Sequence, residues 1–126
     1  WAFLGQMHEL GTQSESLHAS VAVHAHELGV DHLVCIGTRA FADGIPAQSS
    51  TTLHYCKDIT EAISLATHFA PGDVVLVKAS RSEHFEELNQ GLEDSWKELR
   101  REDKKRKLFS SQERLPFYFH SSALRF

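Results

Sequence analysis

Four short runs recur along this chain, three of them unbroken apolar and one rich in β-branched and aromatic residues, and longer stretches with apolar residues every three or four positions follow them. The runs are residues 1–4 (Trp-Ala-Phe-Leu), Leu33-Val34-Cys35-Ile36, residues 51–55 and Val74-Val75-Leu76-Val77. A strand with one wet face alternates apolar and polar residues, whereas an unbroken run suits a strand covered on both faces. Runs of that kind in the order β-α-β-α-β-α-β-α specify an α/β fold. The expected architecture is a Rossmann-like, mostly parallel sheet with helices on both faces and right-handed crossovers. Ligands of such sheets bind outside the carboxyl ends of the strands. The loops after Leu4, Ile36, Tyr55 and Val77 therefore form the candidate site.

Local signals place the helices. Thr12 with Glu15 three residues on reads as a capping box, Leu17, Val21, Ala25 and Leu28 as the inner stripe, and Gly29 as the terminator. Asp58 with Glu61 opens a second helix with a stripe of Ile59, Ala62, Ile63, Ala66 and Phe69, stopped by Pro71-Gly72. Val74–Val77 reads as the most buried strand. After the turn Lys78-Ala79-Ser80-Arg81 a long helix begins near Ser82, with Phe85, Leu88, Leu92, Trp96 and Leu99 inward. Residues 38–43 are ambiguous, and residues 44–50 read as loop. The period fails from Lys104, so the expected division is a domain over 1–103 and a basic, Phe-containing tail over 104–126.

At 126 residues the chain holds one domain. With 41% hydrophobic and 24% charged residues, disordered, collagenous, disulfide-scaffold and coiled-coil classes are disfavoured. No run approaches a membrane span, and no signal-peptide pattern is present. Two cysteines are too few for a disulfide framework, and Cys35 inside an apolar run reads as a buried thiol. The expected location is cytoplasmic. Residues 1–96 carry 13 acidic and 4 basic side chains, and residues 97–126 carry 4 acidic and 9 basic ones. An acidic body argues against nucleic-acid binding, and the basic run 97–107 reads as a solvated helix end. The chain opens on Trp1 directly inside an apolar run, which reads as a piece of a longer protein.

The loop Gly5-Gln6-Met7-His8-Glu9-Leu10-Gly11 follows the first strand. Gly5 permits a tight turn and a close approach there. The spacing is not a dinucleotide fingerprint and no Walker sequence occurs, so the chain carries no phosphate-cradling loop of its own. At Lys78-Ala79-Ser80-Arg81 the free N–H groups of the following helix favour an anion. Arg81 adds a bidentate grip on a carboxylate or phosphate. Equally open from spacing alone is a plain cap with Arg81 in solvent.

Nine histidines suggest a metal, but His24 and His26 lie on different sides of a helix, and no His-Glu-x-x-His or Cys-x-x-Cys pattern occurs. No metal ligands are assigned. His18 is either a hydrogen-bonded packing residue or a site residue. Ser80 lacks a nucleophile elbow, so no catalytic residue is assigned within the chain.

The loop Leu4 to Gly11, Ser14 and His18, and Pro71-Gly72-Asp73-Val74-Val75-Leu76-Val77-Lys78-Ala79-Ser80-Arg81 together resemble the C-terminal domain of the Mur ligases, from Trp1 to about Leu99. The likeness is greatest to the branch that adds D-alanyl-D-alanine in peptidoglycan synthesis. The resemblance implies a three-domain, ATP-dependent amide-forming ligase. Its ATP and Mg2+ are bound mainly by a central domain that these residues do not include. It implies activation of the carboxylate of a UDP-N-acetylmuramoyl-tripeptide as an acyl phosphate, and attack by the amine of the dipeptide. On this chain it places the dipeptide carboxylate at Ser80, Arg81 and Lys78, and an interdomain, nucleotide-facing surface at Gly5, Gln6 and His18. Gln6 stands where the family usually has an acid, and Ala79 where glycine is usual. The fragment by itself is expected to be inactive. The rival readings are a free-standing Rossmann-like module for a small anion or nucleotide, and an interaction domain working through its tail.

Overall fold

The computed structural model describes residues 1–79 and 84–107, with side chains to Arg106. Strands β1 (Ala2–Gly5), β2 (His32–Ile36), β3 (Thr52–Cys56) and β4 (Leu76–Lys78) form one sheet in the order β3-β2-β1-β4. Every pairing is parallel, with Leu4 opposite both Cys35 and Lys78. The α/β reading of the sequence therefore holds, and the four strands are parallel throughout.

The helices are α1 (Ser14–Glu27), α2 (Ile59–Ser64) and α3 (Phe85–Lys107). One face of the sheet presents Phe3, Val34, Ile36, Cys56, Val75 and Val77 to Ala62, Ala66, Phe69, Phe85, Leu88 and Leu92 of the α2–α3 side. The other presents Ala2, Leu4, Leu33 and Cys35 to Ala22 and Phe41. Cys35 and Cys56 thus point to opposite faces. Burial pushes the Cys35 thiol up to about 12 and the Cys56 thiol up to about 11, so both stay protonated and inert.

Two helix ends behave as the sequence suggests. Asp58 accepts the Glu61 N–H at 2.9 Å while the Glu61 carboxylate takes the Lys57 N–H at 2.7 Å, closing the first turn of α2. After α1, Gly29 takes a φ of +76°, and the N–H groups of Gly29 and Val30 bond back to His26 and Ala25. That pair of bonds is a Schellman ending, which favours glycine because its middle residue is left-handed.

Four local expectations are corrected. The Thr12–Glu15 box is not made: a 3₁₀ turn over Gly11–Gln13 precedes α1, whose cap position is Gln13 without a side-chain bond. The inner face of α1 keeps Val21 and Ala25, which pack against the core as expected, but it is not centred on the expected stripe. It buries His18 and Ala22, while Leu17 is 37% and Leu28 70% exposed. The buried histidine is hydrogen-bonded at both ring nitrogens, so its burial leaves no ring nitrogen unsatisfied.

The run Val74–Val77 is not the most buried strand. β4 lies at the end of the four-strand order and alternates, with Val75 and Val77 buried, Leu76 37% exposed and Val74 59% exposed. Finally, α3 continues past Lys104 to Lys107. Its last turns are exposed, so helix propensity and pairs such as Lys97–Glu93 and Arg101–Glu98 carry it beyond its apolar stripe.

The β2–β3 crossover contains only a 3₁₀ turn, Ala42–Gly44, where a covering helix would ordinarily stand. Phe41, at 1% exposure, fills the space against α1. The outer part of that face stays uncovered, leaving Leu53 and Tyr55 of β3 over a third exposed.

Candidate functional site

From β1 the chain passes to β2 on one side, and β4 later pairs with β1 on the other. The carboxyl ends of β1 and β4 therefore flank the switch point, the position at which sheets of this kind bind their ligands. Gly5 ends β1, and Leu4 pairs with Lys78 at the end of β4. The structure thus brings Gly5, Gln6 and Lys78 to one place although some 70 residues separate them in sequence. Lys78 and Ala79 are half-buried, and Gln6 is exposed on the rim. Ser80 and Arg81, the remaining members of the expected anion clamp, lie outside the described residues, as does Ser82.

Gly5 makes a close approach, though to protein. A β-carbon there would stand 2.5 Å from Phe85 Cζ and 2.8 Å from Ala79 Cβ. Glycine at this position lets the start of α3 seat against the end of β1, which fixes where the β4–α3 connection leaves the sheet. The first turn of α3 carries the exposed side chains of Glu86 and Glu87, which partly answer the positive helix end.

His18 resolves into a positioning role. Its side chain is 1% exposed. Nε2 accepts the Met7 N–H at 2.9 Å and Nδ1 lies 2.6 Å from the Ser14 carbonyl oxygen, to which it donates. Both nitrogens are used, so the ring presents nothing to a ligand. It ties the loop after β1 to the first turn of α1. Its edge contacts Phe41, with centroids 4.8 Å apart, so the loop after β2 is braced on the same residue. His18 thus shapes the rim from below.

The sequence reading left residues 38–43 unassigned, and the structure gives them a place on this rim. Gly37 N–H bonds to the Cys56 carbonyl at 2.9 Å, tying the ends of β2 and β3 together. Thr38 Oγ1 accepts the Ala40 N–H at 3.2 Å. Arg39 lies over the Tyr55 ring with its guanidinium carbon 4.0 Å from the centroid. The available signal was a glycine directly after an apolar run followed by a cation. It shows only once β2 and β3 are known to be neighbours.

The remaining histidines gather elsewhere. At the amino end of the sheet His32 Nδ1 and His54 Nε2 are 3.1 Å apart, with Trp1 stacked on His32 at 3.9 Å. Trp1 Nε1–H donates to Asp73 at 2.9 Å, and Asp73 also takes the Ala70 N–H, which explains the tight turn around Pro71-Gly72. Burial, then the fields of His32 and His68, hold the His54 imidazole below its ordinary value. Among the described residues no group of three or more His, Cys, Asp or Glu is placed to hold a metal ion. Nor is any described helix long and apolar enough to cross a membrane.

Comparison with known proteins adds the relationship that the geometry leaves open. The family model described as Mur ligase, glutamate ligase domain, matches residues 1–81. The UDP-N-acetylmuramoyl-tripeptide–D-alanyl-D-alanine ligase of Escherichia coli (strain K12) is 31% identical over 94 residues, covering 73% of this chain and 20% of that protein. The ligase of the same name from Mycobacterium leprae (strain TN) is 35% identical over 89 residues, covering 65% of this chain and 17% of that protein. No solved structure matches. The chain spans about a fifth of the length of these relatives. The matched segment contains the four parallel strands, the Gly5 loop and Lys78, so this chain belongs to the Mur ligase family and corresponds to its C-terminal domain.

Proposed function

We propose that this chain is the acceptor-binding, C-terminal domain of an ATP-dependent ligase that joins D-alanyl-D-alanine to a UDP-N-acetylmuramoyl-tripeptide through an acyl phosphate. The observation that carries the reading is the β1–β4 pairing, which sets Gly5 and the loop it opens beside Lys78 at the carboxyl ends of the two strands, the switch point of the sheet. It is supported by two relatives of that name. In this reading the dipeptide carboxylate sits against Lys78, Ser80 and Arg81. An ammonium and a guanidinium are suitable donors for that oxyanion. The loop Gly5-Gln6-Met7, held down by His18, faces the nucleotide-bearing part of the enzyme.

ATP and Mg2+ enter only through the whole enzyme. The described residues fit an oxyanion and not a metal: no three-ligand cluster is present, and Gln6 contributes an amide where a carboxylate would be needed for a cation. Bound elsewhere in the enzyme, these groups would supply the activated acyl phosphate. The part assigned to this chain is to bind and orient the amine component and, on closure, to exclude water. A cytoplasmic location follows from substrates of that kind.

The test is ligation by the full-length protein, read as phosphate release that requires both the UDP-tripeptide and the dipeptide. Arg81→Ala and Lys78→Ala are expected to raise KM for the dipeptide about tenfold or more each, the scale of one charge-assisted hydrogen bond. The isolated 126-residue chain is expected to release none. Phosphate release that is indifferent to D-alanyl-D-alanine but driven by another amino component would overturn the assignment.

A further inference from the structure

The carboxyl rim carries a second cationic feature that the acceptor clamp leaves unused. Arg39 is exposed, sits over Tyr55 with its guanidinium carbon 4.0 Å from the ring centroid, and among the described residues forms no ion pair. Tyr55 precedes the last residue of β3 and is itself 39% exposed, because the β2–β3 crossover provides no helix to cover it. The cation–π contact holds the guanidinium at the Tyr55 ring and shields one side of it from water, while Arg39 as a whole stays exposed and able to donate N–H groups to a ligand. The base is stiff, since Gly37 is tied to Cys56, Thr38 holds Ala40, and Phe41 is wedged against His18. This is a preorganised fork for an oxyanion, on the same rim as the switch point.

Its position selects the kind of ligand. Tyr55 lies on β3, two strand spacings from β1, or about 10 Å from the switch point. The D-alanyl-D-alanine held at Lys78 is too short to reach it as well. An extended chain of three residues covers about 10 Å. We propose that Arg39, stacked on Tyr55, takes an oxyanion of the acyl donor, one that does not react and that lies about three residues from the reacting end. This rests on the proposed function, in which the reacting end of the UDP-tripeptide must meet the amine of the dipeptide held at the carboxyl ends of β1 and β4. The oxyanion is either a non-reacting carboxylate of the peptide or a phosphate of the UDP group.

The experiment uses the full-length protein and measures KM for the UDP-tripeptide and for D-alanyl-D-alanine separately, with binding of the UDP-tripeptide by calorimetry. Arg39→Ala is expected to raise KM and Kd for the UDP-tripeptide about 10- to 100-fold, leaving KM for the dipeptide and kcat within about twofold. Arg39→Lys should recover only part, because an ammonium lacks the fork. Tyr55→Leu should shift the same constant in the same direction by freeing the guanidinium. Unchanged thermal melts show that the variants are folded.

A donor with its non-reacting carboxyls amidated separates the sources. If the Arg39→Ala effect disappears with it, the partner is a peptide carboxylate; if the effect persists, it is the UDP phosphate. Normal donor binding by Arg39→Ala overturns the inference and leaves the acceptor assignment standing. A wild-type protein that neither binds the UDP-tripeptide nor ligates it overturns both.

Discussion

Replacing His18 with leucine keeps a side chain of similar bulk against Phe41 but removes both ring nitrogens. The loss is dominated by one group. Ser14, as the first residue of α1, keeps its helical N–H partner when the ring is gone. Met7 N–H loses its acceptor at a point where the neighbouring histidine side chain is 1% exposed. An amide left unsatisfied in such a place costs about 1–3 kcal/mol, and a central expectation is ~2 kcal/mol. For a chain of this size that lowers Tm by about 5–10 °C. Urea unfolding followed by circular dichroism gives the stability difference, and amide exchange reports Met7 directly, where protection should fall while that of β2 is retained. His18→Leu within about 0.5 kcal/mol of wild type, with Met7 still protected, would refute the view that this histidine fastens the first loop.

Gly5→Ala puts a β-carbon 2.5 Å from Phe85 Cζ, so overpacking of about 1–3 kcal/mol is expected. Combining it with Phe85→Leu should recover part of that loss, and purely additive effects in the double-mutant cycle would count against the contact. His54 is held below its ordinary value of 6.5, so the fold favours its neutral form. Stability from this source is complete above that value and is lost as pH falls through it. Urea midpoints at pH 7.5 and 5 should show the fall, and His54→Gln should flatten it. A midpoint that rises on acidification would contradict the assignment.

The sequence by itself determined the class of the fold, because unbroken apolar runs leave a parallel, doubly covered sheet as the consistent arrangement. It also determined local endings such as Asp58 and Gly29, whose chemistry acts within a few residues. The face that α1 presents was legible in part: Val21 and Ala25 pack against the core, whereas Leu17 and Leu28 do not lie inside. Hydrophobicity alone favoured Leu17, whereas the buried place belongs to a histidine whose partners, Met7 and Ser14, are fixed only in the folded loop. Val74–Val77 reads as buried throughout because apolarity does not reveal strand order, and its place at the end of the four-strand order follows from its pairing with β1. The candidate site divides in the same way. Gly5 and Lys78 were legible as residues after strands, but their meeting required the topology that lays β4 beside β1. The loops after Ile36 and Tyr55 were legible as part of the rim, but the contact between Arg39 and Tyr55 was not. They are 16 positions apart, and only the parallel register of β2 and β3, with a crossover too short to cover the edge, puts the guanidinium on the ring.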